Sequence, residues 1–257
     1  MICFVDKSTP VFFLFGYRSI GKTMIIQRLS CYFRSIGMVV NSDKALSNTE
    51  FYSEECDRYL EEINRNSVAH STCCPILLNV IKDGRKVCEF FDVPGQWCFD
   101  QRIPQFVFPA VILDFANTPN QKIWGFVIEA QSQLNEQERN AYVHAIHKMS
   151  KYIKKRDKVI FIINKIDRTP FQISYDRVDL KSLRGYLEIQ YSELFESFIK
   201  AHPIFRFIKH NNYVLQPFMS GTFCNDVSLA GNTDVRYLSG PNVYPKQLWH
   251  NILKCIR

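Results

Sequence analysis

Gly16-Tyr17-Arg18-Ser19-Ile20-Gly21-Lys22-Thr23 sets two glycines five positions apart, followed directly by a lysine and a hydroxyl. These are the residue types that holding a phosphate chain requires. Glycines let successive backbone N–H groups curl round phosphate oxygens, Lys22 supplies a cation to the terminal phosphates, and the Thr23 hydroxyl can ligate Mg²⁺. A helix opening at this point adds its partial positive charge. The string fits G-x-x-x-x-G-K-[ST], so Gly16, Ser19, Ile20, Gly21, Lys22, Thr23 and Met24 are the expected phosphate contacts. Two further polar clusters follow apolar runs: Asp92-Val93-Pro94-Gly95-Gln96 and Asn164-Lys165-Ile166-Asp167. An aspartate at the carboxyl end of a strand beside the phosphate loop can hold Mg²⁺ through water, and a glycine offers an unhindered N–H to a γ-phosphate. Asp92 and Gly95 fit those parts.

The pattern of the chain supplies elements to place these residues. Val11 to Phe15 is a continuous apolar run of the kind buried in parallel sheets, and it stops at Gly16. Beyond Gly21 the period turns helical, with Ile25, Leu29, Tyr32 and Ile36 on one face and Gly37 as the stop. Residues 38 to 75 are polar and acidic in patches; they predict one helix around Ser53 to Ile63, no strong strand, and an insertion overall. Ile76 to Ile81 and Lys86 to Phe91 read as an antiparallel hairpin turned at Asp83-Gly84, and its second strand leads into Asp92. Ile123 to Ala130, a helix carrying Ala141, Tyr142, Ala145, Ile146, Met149 and Ile153, and Val159 to Ile163 make a β-α-β unit, hence a parallel pair. Leu183, Leu187, Leu194 and Phe198 predict another helix, Tyr213 to Leu215 a short strand, and Pro245 onward a last helix.

With its three boxes in this order at the ends of predicted strands, the sequence resembles the Ras-like and translation-factor-class P-loop GTPases, over roughly Val11 to Ile256. The resemblance implies one α/β G domain over residues 1–257: a mainly parallel central sheet with one antiparallel strand and helices on both faces. It implies GTP and GDP as ligands with Mg²⁺, the metal held by Thr23, Asp92 and a switch threonine. Thr72 is the best placed for that part, with Ser71 and Thr49 competing. Gln96, where Ras-like proteins keep the glutamine that orients water, joins Lys22 and Thr72 as the catalytic set. Asp167 is the expected guanine selector, since a carboxylate accepts from both N1–H and the 2-amino group, a pattern adenine lacks. Asn164 and Lys165 would brace the loop and cover the base, and Ser220-Gly221-Thr222 falls where the family has a short guanine-contacting loop. A slow GTPase acting as a nucleotide-controlled switch is the implied activity. A binding module that does not hydrolyse GTP, or an ATP-using P-loop enzyme, are the rivals.

Several features depart from the family pattern. Arg18-Ser19 stand where Ras has two glycines; Arg18 either assists the transition state or points to solvent. An aromatic, proline-cut stretch from Trp97 to Pro109 replaces the expected switch helix, and it is either core or a partner surface. Insertions are expected at about 38–75, 97–121, 168–182 and 223–243, and they loosely resemble those of bacterial GTPases of paired systems. The switch segments 71–75 and 96–109 are the expected contact for a protein effector or a second GTPase subunit.

Composition excludes other classes. With 257 residues, 46% hydrophobic and 22% charged, the chain is globular and long enough for a sizeable core. A net charge of +7 falls short of a dedicated nucleic-acid binder. No transmembrane segment is expected, since the run Phe106 to Ala116 is broken by Pro109 and Asp114. Nine cysteines are scattered, with Cys73-Cys74 the one adjacent pair, so a zinc cluster or disulfide framework is not expected and a cytoplasmic location is. His144 and His147 lack clustered ligands, so no metal other than Mg²⁺ is expected. The basic run Lys148 to Lys158 reads as a solvated face.

Overall fold

The computed structural model describes residues 8–47, 49–65, 72–99, 107–131, 134–201, 209–227 and 233–256. β1 (Val11–Phe15) is apolar at every position and fully buried, as its continuous run requires at the centre of a sheet covered on both faces. It pairs in parallel with β4 (Arg85–Asp92) on one side and β5 (Lys122–Glu129) on the other. With β2 (Met38–Ser42), β3 (Ile76–Lys82), β6 (Lys158–Asn164) and β11 (Val214–Pro217), the seven strands take the order β11-β6-β5-β1-β4-β3-β2. β3 is antiparallel to both its neighbours and every other pairing is parallel, so one strand runs against the rest. The fold is α/β, a mainly parallel sheet flanked by helices, as the sequence predicts. The β3–β4 turn at Asp83 and Gly84 has positive φ at both positions, 50° and 72°, the conformation for which Asp-Gly is suited.

α1 (Lys22–Ser35) follows β1 directly, and α2 (Glu50–Arg65) packs on it. The buried face of α1 carries Ile25, Ile26, Leu29 and Phe33, whereas Tyr32 is half-buried and Ile36 is 41% exposed. Gly37, at φ 74°, ends the helix as expected. α5 (Glu136–Ser150) completes the predicted β-α-β unit and opens with a capping box between Asn135 and Glu138. α6 (Leu180–Gln190) stops before Leu194 and Phe198, which are buried in the turns that follow it. α7 (Val243–Ile256) closes the described chain with Pro245 in its first turn.

Two expectations are corrected here. Residues 38–42 form β2, an edge strand of the main sheet paired with β3, so this part of the supposed insertion belongs to the fold. Its residues alternate between buried and exposed from Met38 to Val40, a weaker signal than the apolar runs of the central strands. Residues 110–117 form α4 (Ala110–Asn117), which lies in the crossover that parallel strands separated by β1 require. Phe115 stacks on Phe91 at 4.2 Å and meets Phe13 at 5.1 Å, so α4 is core. The later insertions are hairpins: β7 (Gln172–Ser174) with β8 (Arg177–Val178), and β12 (Gly221–Val227) with β13 (Thr233–Ser239). A third pairs β9 (Ile199–Ala201) with β10 (Lys209–Asn211). The β12–β13 hairpin is held at both feet. Ser220 bonds Asn164 at one, and at the other the buried Arg28 of α1 donates to the Gly240 carbonyl and, at 2.9 Å, to Asn242 Oδ1.

Phe115→Ala removes a ring packed in the centre of the core and lowers unfolding free energy by about 3–5 kcal/mol, measurable by urea titration. A loss under about 1 kcal/mol would contradict the placement of α4 in the core.

Candidate functional site

The chain leaves β1 at Phe15, turns through Gly16 to Gly21 and enters α1 at Lys22, so the loop lies between a central strand and a helix N-terminus. Ser19 and Gly21 have φ of 62° and 95°, which only the glycine adopts without strain. A side chain at Gly21 would also meet Asn164 Nδ2 at 2.4 Å. Lys22 is 7% exposed and its ammonium folds over the loop, donating to the carbonyls of Gly16 at 2.9 Å and Tyr17 at 3.3 Å. Ile20 is buried, Met24 half-buried, and Arg18 and Ser19 are exposed.

Thr23, Thr72 and Asp92 meet at the start of α1. The Thr23 and Thr72 hydroxyls lie 3.0 Å apart, and both are placed to donate to Asp92 Oδ2, at 3.3 and 3.2 Å. Of the candidate switch hydroxyls among the described residues, Thr72 is the one that meets Asp92. Thr49 is exposed at the N-terminus of α2, and Ser71 lies outside the described residues. A fourth group was not foreseen: Tyr59 of α2, buried, donates to the same Oδ2 at 2.8 Å. Asp92 Oδ1 is buried and has no hydrogen-bond partner among the described residues. Burial raises the Asp92 pKa, and the Lys22 charge with the Tyr59, Thr72 and Thr23 hydroxyls offsets this only in part. An all-oxygen cluster with one orphaned, poorly compensated carboxylate oxygen suits a hard divalent cation, so the residues fit Mg²⁺.

Gly95 follows on α3 (Gly95–Cys98) and presses on the phosphate loop. A Cβ there would lie 2.4 Å from Arg18 N and Cα and 2.7 Å from Tyr17 C, all backbone, so only glycine allows this approach. Gln96 is half-exposed beside it. Cys98, which the sequence reading passed over, is buried in the range of Lys22 and accepts from the Gly16 backbone; burial pushes its thiol up to about 11. In the aromatic segment, Phe99 and Phe108 pack on Tyr142 and Phe15 and are core, Trp97 is half-buried and Val107 is 77% exposed. Residues 100–106 of this expected partner surface lie outside the described ones.

The third box closes the far side. Asn164, fully buried at the end of β6, donates from Nδ2 to the Ile20 carbonyl at 2.8 Å, and Ser220 reaches its Oδ1 at 3.3 Å. The structure thus brings the first and third boxes and Ser220 together. Lys165, at φ 57°, pairs with Glu129 at 2.9 Å, and Asp167 sits half-exposed in the short 3-10 turn that follows. Gly221 and Thr222 open β12, so the expected free loop is the foot of a hairpin; at Gly221, φ is 150° and a Cβ would meet Leu238 O at 2.5 Å. His144 and His147 lie together at the rim of a cavity of about 240 Å³ with Asn140, Val143, Ser192 and Glu193, and His147 Nε2 contacts the Glu193 carbonyl at 2.9 Å.

No protein-family profile and no curated protein matches the chain. Among solved structures, it is similar to that of nucleolar GTP-binding protein 1 from Plasmodium falciparum, at 11% identity and a TM-score of 0.46, covering 98% of this chain and 88% of that one.

Tyr59→Phe strips Asp92 of a buried donor while keeping the ring. It should cost about 1–2 kcal/mol of stability in a thermal or urea melt. An unchanged melt would show that this hydroxyl does not brace the carboxylate.

Proposed function

We propose that the chain is a Mg²⁺-dependent GTP-binding protein that hydrolyses GTP slowly and serves as a nucleotide-controlled switch for a protein partner. The observation that carries this reading is the convergence of all three boxes, distant in sequence, on one phosphate loop. Lys22 and Thr23 lie in it, Asp92 and Thr72 join at Thr23, Gly95 touches its backbone, and Asn164 bonds Ile20.

In this reading Lys22 shifts from the carbonyls of Gly16 and Tyr17 toward phosphate oxygens, which the backbone N–H groups of the loop, Ser19, Ile20, Gly21 and Met24 among them, also receive. Thr23, Thr72 and Asp92 hold Mg²⁺, which neutralises phosphate charge when bound. Gly95 offers its N–H to the terminal phosphate, and Gln96 orients water toward it. Asp167 accepts from guanine, Lys165 covers the base, and Asn164 with Ser220, Gly221 and Thr222 shapes the wall beside it. Closure of the segments around Thr72 and Gln96 on the terminal phosphate is what a partner would read. The whole described chain acts as a single G domain in this proposal.

The test is nucleotide turnover with Mg²⁺, GTP and ATP offered separately and products resolved by chromatography. GTP and not ATP should be converted. Lys22→Ala should weaken nucleotide binding by about 10–100-fold, the worth of a charge-assisted hydrogen bond, and Gln96→Leu should slow turnover while leaving affinity nearly unchanged. Asp167→Ala should remove the preference for guanine. Conversion of ATP would overturn the assignment of Asp167, and tight GTP binding with no conversion would favour a binding module, a reading that Gln96 beside Gly95 speaks against.

A further inference from the structure

Away from the Asp92 cluster, the fold brings a carboxylate to an adjacent pair of thiols that lies 18 or more positions further along the chain. One carboxylate oxygen of Glu55, on α2, and the sulfurs of Cys73 and Cys74, just before β3, all lie within 4.8 Å of one another. The Cys73 thiol donates to Glu55 Oε2 at 2.6 Å. Arg58, one turn further along α2, grips the same carboxylate through Nε at 3.1 Å and through Nη2. Cys73 is exposed while Glu55 and Cys74 are half-buried, so the cluster is formed by the fold yet open to solvent.

We propose that Glu55, Cys73 and Cys74 form a binding site for a thiophilic divalent cation of the zinc class, with water in the fourth position. Two thiolates and a carboxylate favour such an ion over Mg²⁺, which the all-oxygen cluster at Asp92 suits instead. Tetrahedral zinc, with bonds of about 2.3 Å to sulfur and 2.1 Å to oxygen, needs its donors about 3.5–3.8 Å apart. The observed cluster reaches that spacing with movements of about 1 Å, available to side chains at the surface. The Arg58 fork orients the Glu55 carboxylate, as partners of metal-bound carboxylates do. On binding, each cation releases the two thiol protons to solvent and takes both sulfurs as thiolates. Cys73 adjoins Thr72, which lies against Asp92, and α2 carries Tyr59 as well as Glu55. A bound ion would therefore clamp the segment bearing Thr72 to α2.

The test uses the full chain, stripped of metals, with excess Mg²⁺ to fill oxygen-donor sites, and Co²⁺ as the probe; no nucleotide enters the readout. One equivalent of Co²⁺ should bind and produce a near-ultraviolet thiolate-to-cobalt band with the visible bands of a tetrahedral site, all bleached by Zn²⁺. C73S should abolish the band, and because its side chain is exposed the variant should melt like the parent. Glu55→Gln should keep the band and weaken binding by about tenfold or more. Absence of the band in the parent, its persistence in C73S, or parental affinity in Glu55→Gln would each overturn the three-ligand site.

Discussion

A carboxylate buried at the end of β4 sets the terms for everything around it. Asp92 is wholly removed from water, which a charged group tolerates only where other groups replace its hydration. Three hydroxyls from three separate segments do so on one oxygen, Thr23 from α1, Thr72 from the approach to β3 and Tyr59 from α2, while the Lys22 ammonium lies in range. The placement of those segments follows. α1 must start beside β4, α2 must pack on α1, and the chain between α2 and β3 must return to the same point. The second oxygen has no hydrogen-bond partner among the described residues.

The sheet explains how so many segments arrive at one place. β1 and β4 are parallel neighbours, so Gly16 and Asp92 leave the sheet at the same edge, the carboxyl ends of adjacent strands. β6 runs the same way and ends at Asn164. A parallel sheet thus delivers loops from distant parts of the chain to one rim, where ligands of open α/β sheets are commonly held. The reversed β3 starts at that rim, with Ile76 opposite Asp92, and runs away from it, which is what places Thr72, just ahead of its first residue, beside Asp92.

How much could be read beforehand depended on how local each signal was. The phosphate loop is contiguous, so its eight residues announced it, and the buried runs of β1, β5 and β6 were visible as unbroken apolar stretches. Thr72 was found through its position ahead of a strand. Tyr59 was not, because an apolar-faced aromatic on a helix looks the same in sequence whether its hydroxyl meets a carboxylate or nothing. Cys98 was hidden for the same reason. β2 alternates weakly because it is an edge strand, and α4 was obscured by the prolines and aromatics before it, although Ile112, Phe115 and Ala116 carry its buried face. Gly221 and Thr222 were legible as small residues after a strand but not as the start of a β-ladder, since the strand they pair with, β13, begins more than ten positions later.

The two ties at the feet of the β12–β13 hairpin fasten that appendage to the body of the fold. Ser220 leads through Asn164 to the Ile20 carbonyl, inside the phosphate loop. Gly240 and Asn242 lead through Arg28 into α1, a rod of 14 residues whose first turn holds Lys22 and Thr23. The hairpin is therefore tied to the loop by two routes, once at its wall and once through its helix. The hairpin and the Gly16–Gly21 loop thus share two joints, so a displacement at the feet of one is passed to the other.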